Sequence, residues 1–130
     1  MNKTITLSAT LKDVSAFVAD LEKTLADLPI EIRTGITLSI QELGVNIVKH
    51  AYAGESGDIH VALDWSADAV RFVITDSATN AFTMPEIINT PDPLALQEHG
   101  MGLFIIHQSF DEVGYQRAGG QNRWTLEKFL

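Results

Sequence analysis

Apolar and polar positions alternate near the start of the chain. Ile5, Leu7 and Ala9 fall on one side, so residues 3–9 read as a strand. Thr10 then offers an N-cap, with Asp13 three residues on. Leu11, Val14, Phe17, Leu21, Leu25 and Leu28 follow at helical spacing and predict an amphipathic helix over residues 11–28. Pro29 suits the first turn of a second helix, which the pattern carries to about Tyr52 and stops at Gly54. From Gly57 to Trp65 the alternation returns in Ile59, Val61, Leu63 and Trp65. Ser66, Ala67 and Asp68 turn the chain, and Val70, Phe72 and Ile74 continue the pattern to Asp76, so this segment predicts a hairpin. Residues 77–99 show no period and hold Pro85, Pro91 and Pro93, as expected of a lid or a disordered loop. Gly100, Met101 and Gly102 open a short helix with Leu103, Ile106 and Phe110 on one side. Two strands, over 112–117 and 122–129, close the chain around the turn Gly119-Gly120-Gln121-Asn122. The order predicts an α+β fold: a two-layer α/β sandwich, with a mixed, mostly antiparallel sheet and helices on one face.

The second helix has more than one distinctive side. Ile32, Ile36, Ile40, Leu43 and Ile47 form the stripe expected to face the core. Glu42, Asn46 and Lys49 form a second stripe, bordered on its far side by Leu38 and Val45. The remaining sector, with Arg33, Thr37, Gln41 and Gly44, is then expected to face solvent. A polar stripe between two apolar strips needs partners of its own, which makes Glu42, Asn46 and Lys49 candidate site residues. Ser39 reads as an ordinary residue of the helix surface, and His50 as a structural residue at the edge of the core.

Composition narrows the function classes. The 130 residues are 45% hydrophobic, enough for one domain over 1–130 with its own core. Nine Lys and Arg against seventeen Asp and Glu give a net charge of −8. That balance disfavours nucleic acid, whose phosphates call for clustered Lys and Arg, and disfavours an anionic membrane surface. The absence of cysteine excludes thiolate catalysis, disulfides and cysteine-type metal sites. The four histidines show no metal-ligand spacing. With no signal-peptide core and no membrane-length apolar run, a cytoplasmic location is expected.

Two further features converge with the Glu42 stripe. Asp76 ends a strand on the same side as Val70, Phe72 and Ile74, so its carboxylate is aimed at the helix-covered face and needs a donor. Gly100 and Gly102 lead into an apolar helix, where a phosphate could approach backbone N–H groups at the positive helix end.

The run Glu42-Leu43-Gly44-Val45-Asn46-Ile47-Val48-Lys49-His50-Ala51-Tyr52 resembles the N-box of the GHKL, or Bergerat-fold, ATPase superfamily. Within it the chain is most similar to the small bacterial anti-sigma-factor serine/threonine kinases of partner-switching systems, whose box ends in the same His-Ala-Tyr. Asp76-Ser77-Ala78-Thr79-Asn80-Ala81-Phe82 stands where that family carries an Asp box with glycines. Gly100-Met101-Gly102-Leu103 resembles its second glycine box, and Gly119 to Lys128 its last hairpin. The resemblance implies ATP and Mg²⁺ as cofactors, with residues 77–99 as the ATP lid. It implies Glu42 as general base, Asn46 as the Mg²⁺ ligand and Asp76 as acceptor for the adenine amino group. Ala78 and Asn80 would line the nucleotide, and Gly100, Met101, Gly102 and Leu103 would cradle phosphate. Lys49 matches a basic position near phosphate. A homodimer, a sigma factor and a STAS-like anti-sigma-factor antagonist are the implied partners. Ala78 and Asn80 depart from the family glycines, which leaves two explanations open. Either the loop has shifted and still admits ATP, or the Ala78 methyl fills part of the adenine slot. Two other functions also remain open: a binding module of the same fold with weak or no catalysis, and an ATP-hydrolysing fragment of a sensor kinase.

Overall fold

The computed structural model describes residues 1–81 and 101–130, with backbone alone for residues 101–103. Five strands form one sheet: β1 (Asn2–Ser8), β2 (Asp58–Trp65), β3 (Ala69–Asp76), β4 (Glu112–Ala118) and β5 (Gln121–Phe129). Their order is β1-β2-β3-β5-β4. Every pairing is antiparallel, so the described sheet is simpler than the mixed one expected. Helices α1 (Leu11–Thr24), α2 (Ile30–Asn46) and α3 (Met101–Ser109) accompany it. Inward positions of the strands, among them Val61, Leu63, Val70, Phe72, Trp124 and Leu126, join Val14, Leu21, Ile36, Ile40, Leu43 and Ile106 in one buried core. The other face carries exposed Thr4, Thr6, His60, Arg71 and Arg123. No helix among the described residues is long and apolar enough to cross a membrane.

The predicted α1 cap is present. Thr10 Oγ1 accepts the Asp13 N–H at 3.1 Å, and the Asp13 carboxylate accepts the Ser8 N–H at 3.2 Å. The helix ends at Thr24, earlier than expected, because Leu25 and Leu28 continue the apolar pattern through a turn and not through helix. Leu25 is buried all the same.

Helix α2 needs two corrections. The sector with Arg33, Thr37, Gln41 and Gly44 does not face solvent; it lies toward α1. Thr37 Oγ1 donates to Glu22 at 2.9 Å, and Arg33 Nε pairs with Glu22 at 3.1 Å. A Cβ on Gly44 would stand 2.6 Å from Val14 Cγ1, so glycine allows the two helices to close. Exposed Glu31, Thr34 and Leu38 mark the true outer edge. Helical period alone cannot separate a small or polar side that meets water from one that a second helix covers. The other correction concerns the helix end. From Ile47 to Ala51 the turn widens to i→i+5 bonding, with the Tyr52 N–H reaching the Ile47 carbonyl at 2.9 Å. Ala53 and Gly54 then take positive φ, at 53° and 86°, and end the helix where Gly54 predicted.

Candidate functional site

Asp76 is the last residue of β3 and is 1% exposed. Its burial follows from the alternation that puts Val70, Phe72 and Ile74 inward. Oδ1 accepts the Ala78 N–H at 3.0 Å, closing a local Asx turn, and accepts Asn122 Nδ2 at 2.9 Å. Oδ2 is buried with no hydrogen-bond partner among the described residues. A buried acceptor left unmatched costs about 1–3 kcal/mol, so this atom invites a donor.

Sheet register explains why Asn122 is there. Asp76 pairs with Ile59 on β2 and Asn122 on β5, and Asn122 pairs with Arg117 on β4. One transverse row thus carries Asp76, Asn122 and Arg117. Asn122 is 1% exposed; it is a strand residue, not the turn residue its position beside Gly119 and Gly120 suggested. Its Nδ2 also donates to the Asn80 carbonyl at 3.0 Å, while its Oδ1 accepts from Tyr115 Oη and from Arg117 Nη1. Arg117 further donates to the carbonyls of Ala78 and Thr79, each at 3.1 Å. Ala78 is 1% exposed and belongs to the core cluster.

The Tyr of His-Ala-Tyr ties the helix to this row. Tyr52 Oη donates to the Asp58 carbonyl at 2.6 Å and accepts the Ser77 N–H at 3.1 Å. Its ring lies over Gly57, where a Cβ would come within 2.2 Å of the ring. Burial pushes the Tyr52 hydroxyl above its usual pKa, which keeps it neutral and able to donate. Asn80 Nδ2 reaches the His50 carbonyl at 3.4 Å. The last turns of α2 and the loop after β3 therefore meet. Asn46 lies four residues before His50, about 6 Å back along the helix.

Glu42 and Asn46 are half-buried, whereas Lys49 is exposed, and so is His50, which was expected at the core edge. Among the described residues, no hydrogen bond or ion pair engages the side chains of Glu42, Asn46 or Lys49. Ser39 is not a surface residue: it is fully buried, with Oγ donating to the Gly35 carbonyl at 2.7 Å and reaching the Ile105 carbonyl at 3.5 Å. A Cβ on Gly35 would meet Ser109 Oγ at 3.0 Å. Gly35 thus faces Ser109 and Ser39 faces Ile105, which sets α2 and α3 antiparallel. One turn further, that pairing carries the start of α3 beside Glu42 and Asn46. A helix N-terminus presents free N–H groups and positive potential there. Gly100 and most of the expected lid, with Phe82 and Met84, lie outside the described residues, as do the side chains of Met101 and Leu103.

The structure thus joins Glu42 and Asn46 to the start of α3, and Asp76 to Ala78 and Asn80. Inspection of the sequence missed Asn122, Arg117, Tyr115 and the double role of Tyr52. Counting register from the two hairpins would have placed Asn122 opposite Asp76. Among the described residues no group of His, Asp and Glu is arranged to hold a metal by itself. Any divalent ion here would need oxygens from its ligand.

The crystal structure of the RsbU and RsbW domains of Rv1364c from Mycobacterium tuberculosis is similar in fold, with a TM-score of 0.70 at 23% identity. The alignment covers 99% of this chain and 32% of that one, so the chain spans about a third of the larger protein's length. No curated protein matches the chain. Residues 6–128 match the histidine kinase-like ATPase domain, nearly the whole chain, and the protein therefore belongs to that family of ATP-binding domains.

Proposed function

We propose that the protein is an ATP-dependent serine/threonine kinase of the anti-sigma-factor type, which phosphorylates an anti-sigma-factor antagonist and sequesters a sigma factor. The observation that carries this reading is the unpartnered Oδ2 of Asp76, buried beside a loop joined to the helix that bears Glu42 and Asn46. An adenine amino group would supply the donor that Oδ2 lacks. Guanine, with an oxo group at that position, would set acceptor against acceptor.

The other assignments rest on the resemblance and on helical spacing. Asn46 offers an amide oxygen to Mg²⁺, a hard cation that tolerates few protein ligands when phosphate oxygens and water complete its shell. When bound, Mg²⁺ supplies charge neutralisation across the phosphates. Glu42, one turn before Asn46 on the same side, accepts the proton of the attacking serine or threonine hydroxyl. The start of α3, with Gly100, Met101, Gly102 and Leu103, gives backbone N–H groups to phosphate, and exposed Lys49 adds a positive charge at the rim. Ala78 and Asn80 line the base side. Ala78 holds its loop with a buried methyl and a bonded carbonyl, which favours a shifted loop that still admits ATP.

The partners are proposed on resemblance: a sigma factor, a STAS-like antagonist and a second copy of the chain, in the cytoplasm. A binding module without transfer is the second reading, favoured by the loss of both family glycines at Ala78 and Asn80. Transfer of labelled γ-phosphate from ATP to a STAS-like antagonist separates the two. Labelled antagonist supports the kinase; ATP binding without any labelling supports the module.

A further inference from the structure

We propose that Arg117, which need not touch nucleotide, sets the nucleotide selectivity of the site by holding Asn122 and the loop after β3 in place around Asp76. The proposal rests on the reading of Asp76 as the adenine acceptor.

The reasoning starts from what each group can do. A guanidinium only donates, whereas a carboxylate oxygen accepts. Asn122 stands between one of each. Its Oδ1 takes bonds from Arg117 Nη1 at 3.1 Å and from Tyr115 Oη, and its Nδ2 gives bonds to Asp76 Oδ1 at 2.9 Å and to the Asn80 carbonyl at 3.0 Å. All four hydrogen-bonding positions of the amide are used. Flipping it would set the amide nitrogen against Arg117 and the amide oxygen against Asp76, so its orientation is dictated chemically. Arg117 and Tyr115 thereby hold the Asn122 amide against Oδ1 of Asp76, and Oδ2 is left unmatched among the described residues.

The same guanidinium holds the loop. Nη1 and Nη2 fork onto the carbonyls of Ala78 and Thr79, in the loop that follows Asp76. Glycine would let such a loop follow the base by conformational freedom. Here the planar fork of Arg117 holds both carbonyls toward β4. Lysine has no second coplanar donor with which to repeat that grip. Arg117 is thus a positioning residue, acting on the base through Asn122 and through the loop.

ITP carries an oxo group where ATP carries the amino group, which makes the ATP-to-ITP affinity ratio the direct readout. Calorimetry on the full chain with Mg-ATP and Mg-ITP should give wild type a preference of about tenfold or more, the scale of a hydrogen bond to a charged group. In Arg117→Met the Asn122 amide loses one of its holding partners and the loop is released, so the ratio should fall by about threefold or more. Arg117→Lys should restore part of it, because one donor remains. Tyr115→Phe, which leaves the loop grip intact, should lower the ratio less than Arg117→Met. Thermal unfolding of each variant separates a lost fold from a lost preference. Should Arg117→Met not fold, the ordering of wild type, Arg117→Lys and Tyr115→Phe carries the test, and an unchanged ratio in both overturns the proposal. A folded Arg117→Met with the wild-type ratio overturns it while the adenine reading stands. Wild type with no preference removes the adenine reading, and this proposal with it.

Discussion

The two ends of the site are built differently. At the end proposed to take the base, Asp76 and Asn122 are buried and joined to Tyr52, Tyr115 and Arg117 through hydrogen bonds, with Asp76 Oδ2 unmatched among the described residues. At the end proposed to take phosphate, Glu42 and Asn46 are half-buried and Lys49 is exposed, and none of the three has a side-chain partner among the described residues. Recognition of a flat base benefits from groups fixed beforehand, since an ordered network loses no further entropy when ligand arrives. A proton acceptor and a metal ligand must instead remain uncommitted, because a hydrogen bond formed within the protein would compete with their task. The contrast implies that variants at the base end change which nucleotide binds and how well the protein folds, while variants at the phosphate end change transfer.

The sharpest break would come from Glu42. Glu42→Gln keeps the shape and removes the proton acceptor, so transfer should fall by about 10²–10⁴-fold with nucleotide affinity nearly unchanged. Single-turnover transfer and calorimetry on the same preparation check both halves. If affinity falls in step with transfer, the division between the ends is wrong.

Asp76→Asn reverses the effect. Its amide would bring a donor toward Asn122 Nδ2 or toward the base, so ATP affinity should fall by about tenfold or more. Discrimination against GTP should shrink as well, as competition titration would show. A variant that binds ATP like wild type removes Asp76 from base recognition.

Ala78→Gly tests the loop between the two ends. The methyl is buried and the carbonyl is held by Arg117, so the change should leave ATP affinity within error. It should lower unfolding stability by about 1 kcal/mol through added unfolded-chain entropy. A tenfold gain in affinity would instead show that the methyl occupies the adenine slot, and would favour the binding module.

The smallest expected effect lies far from both ends and serves as a control. Asp111 accepts the Phe129 N–H at 2.6 Å, and this bond, aided by Lys128, holds its carboxyl below the usual value. A depressed folded-state pKa contributes stability above the unfolded value of 3.8, and that contribution is lost as pH falls through the folded value. Asp111→Asn should therefore be slightly less stable at neutral pH, with the gap to wild type closing below about pH 4 and ATP binding untouched. A gap that stays constant across this range in acid titrations followed by circular dichroism would assign the effect to something other than ionisation.

Much of the fold was legible because it rests on local pattern. Alternation found all five strands within a residue or two, and the Thr10 and Asp13 cap and the Gly54 stop were written in residue types. The inward aim of Asp76 followed from parity with Ile74. What escaped depends on contacts between distant segments. Thr37 and Gly44 looked like solvent positions because smallness and polarity do not reveal a neighbouring helix. Ser39 was misread for a similar reason: α3 covers it from 66 residues away. Asn122 looked like part of a turn and nothing marked Arg117, until register set them beside Asp76. The Glu42 and Asn46 stripe was visible because helical spacing displays it; the base-end network spans three strands and no single period displays it.

The central claim is that Asp76 Oδ2 waits for a donor from adenine. Its most direct test is titration of the purified wild-type chain with Mg-ATP and with Mg-GTP under the same buffer. The structure predicts saturable ATP binding and a preference over GTP of about tenfold or more. Equal affinities, or no binding of either nucleotide, would contradict it.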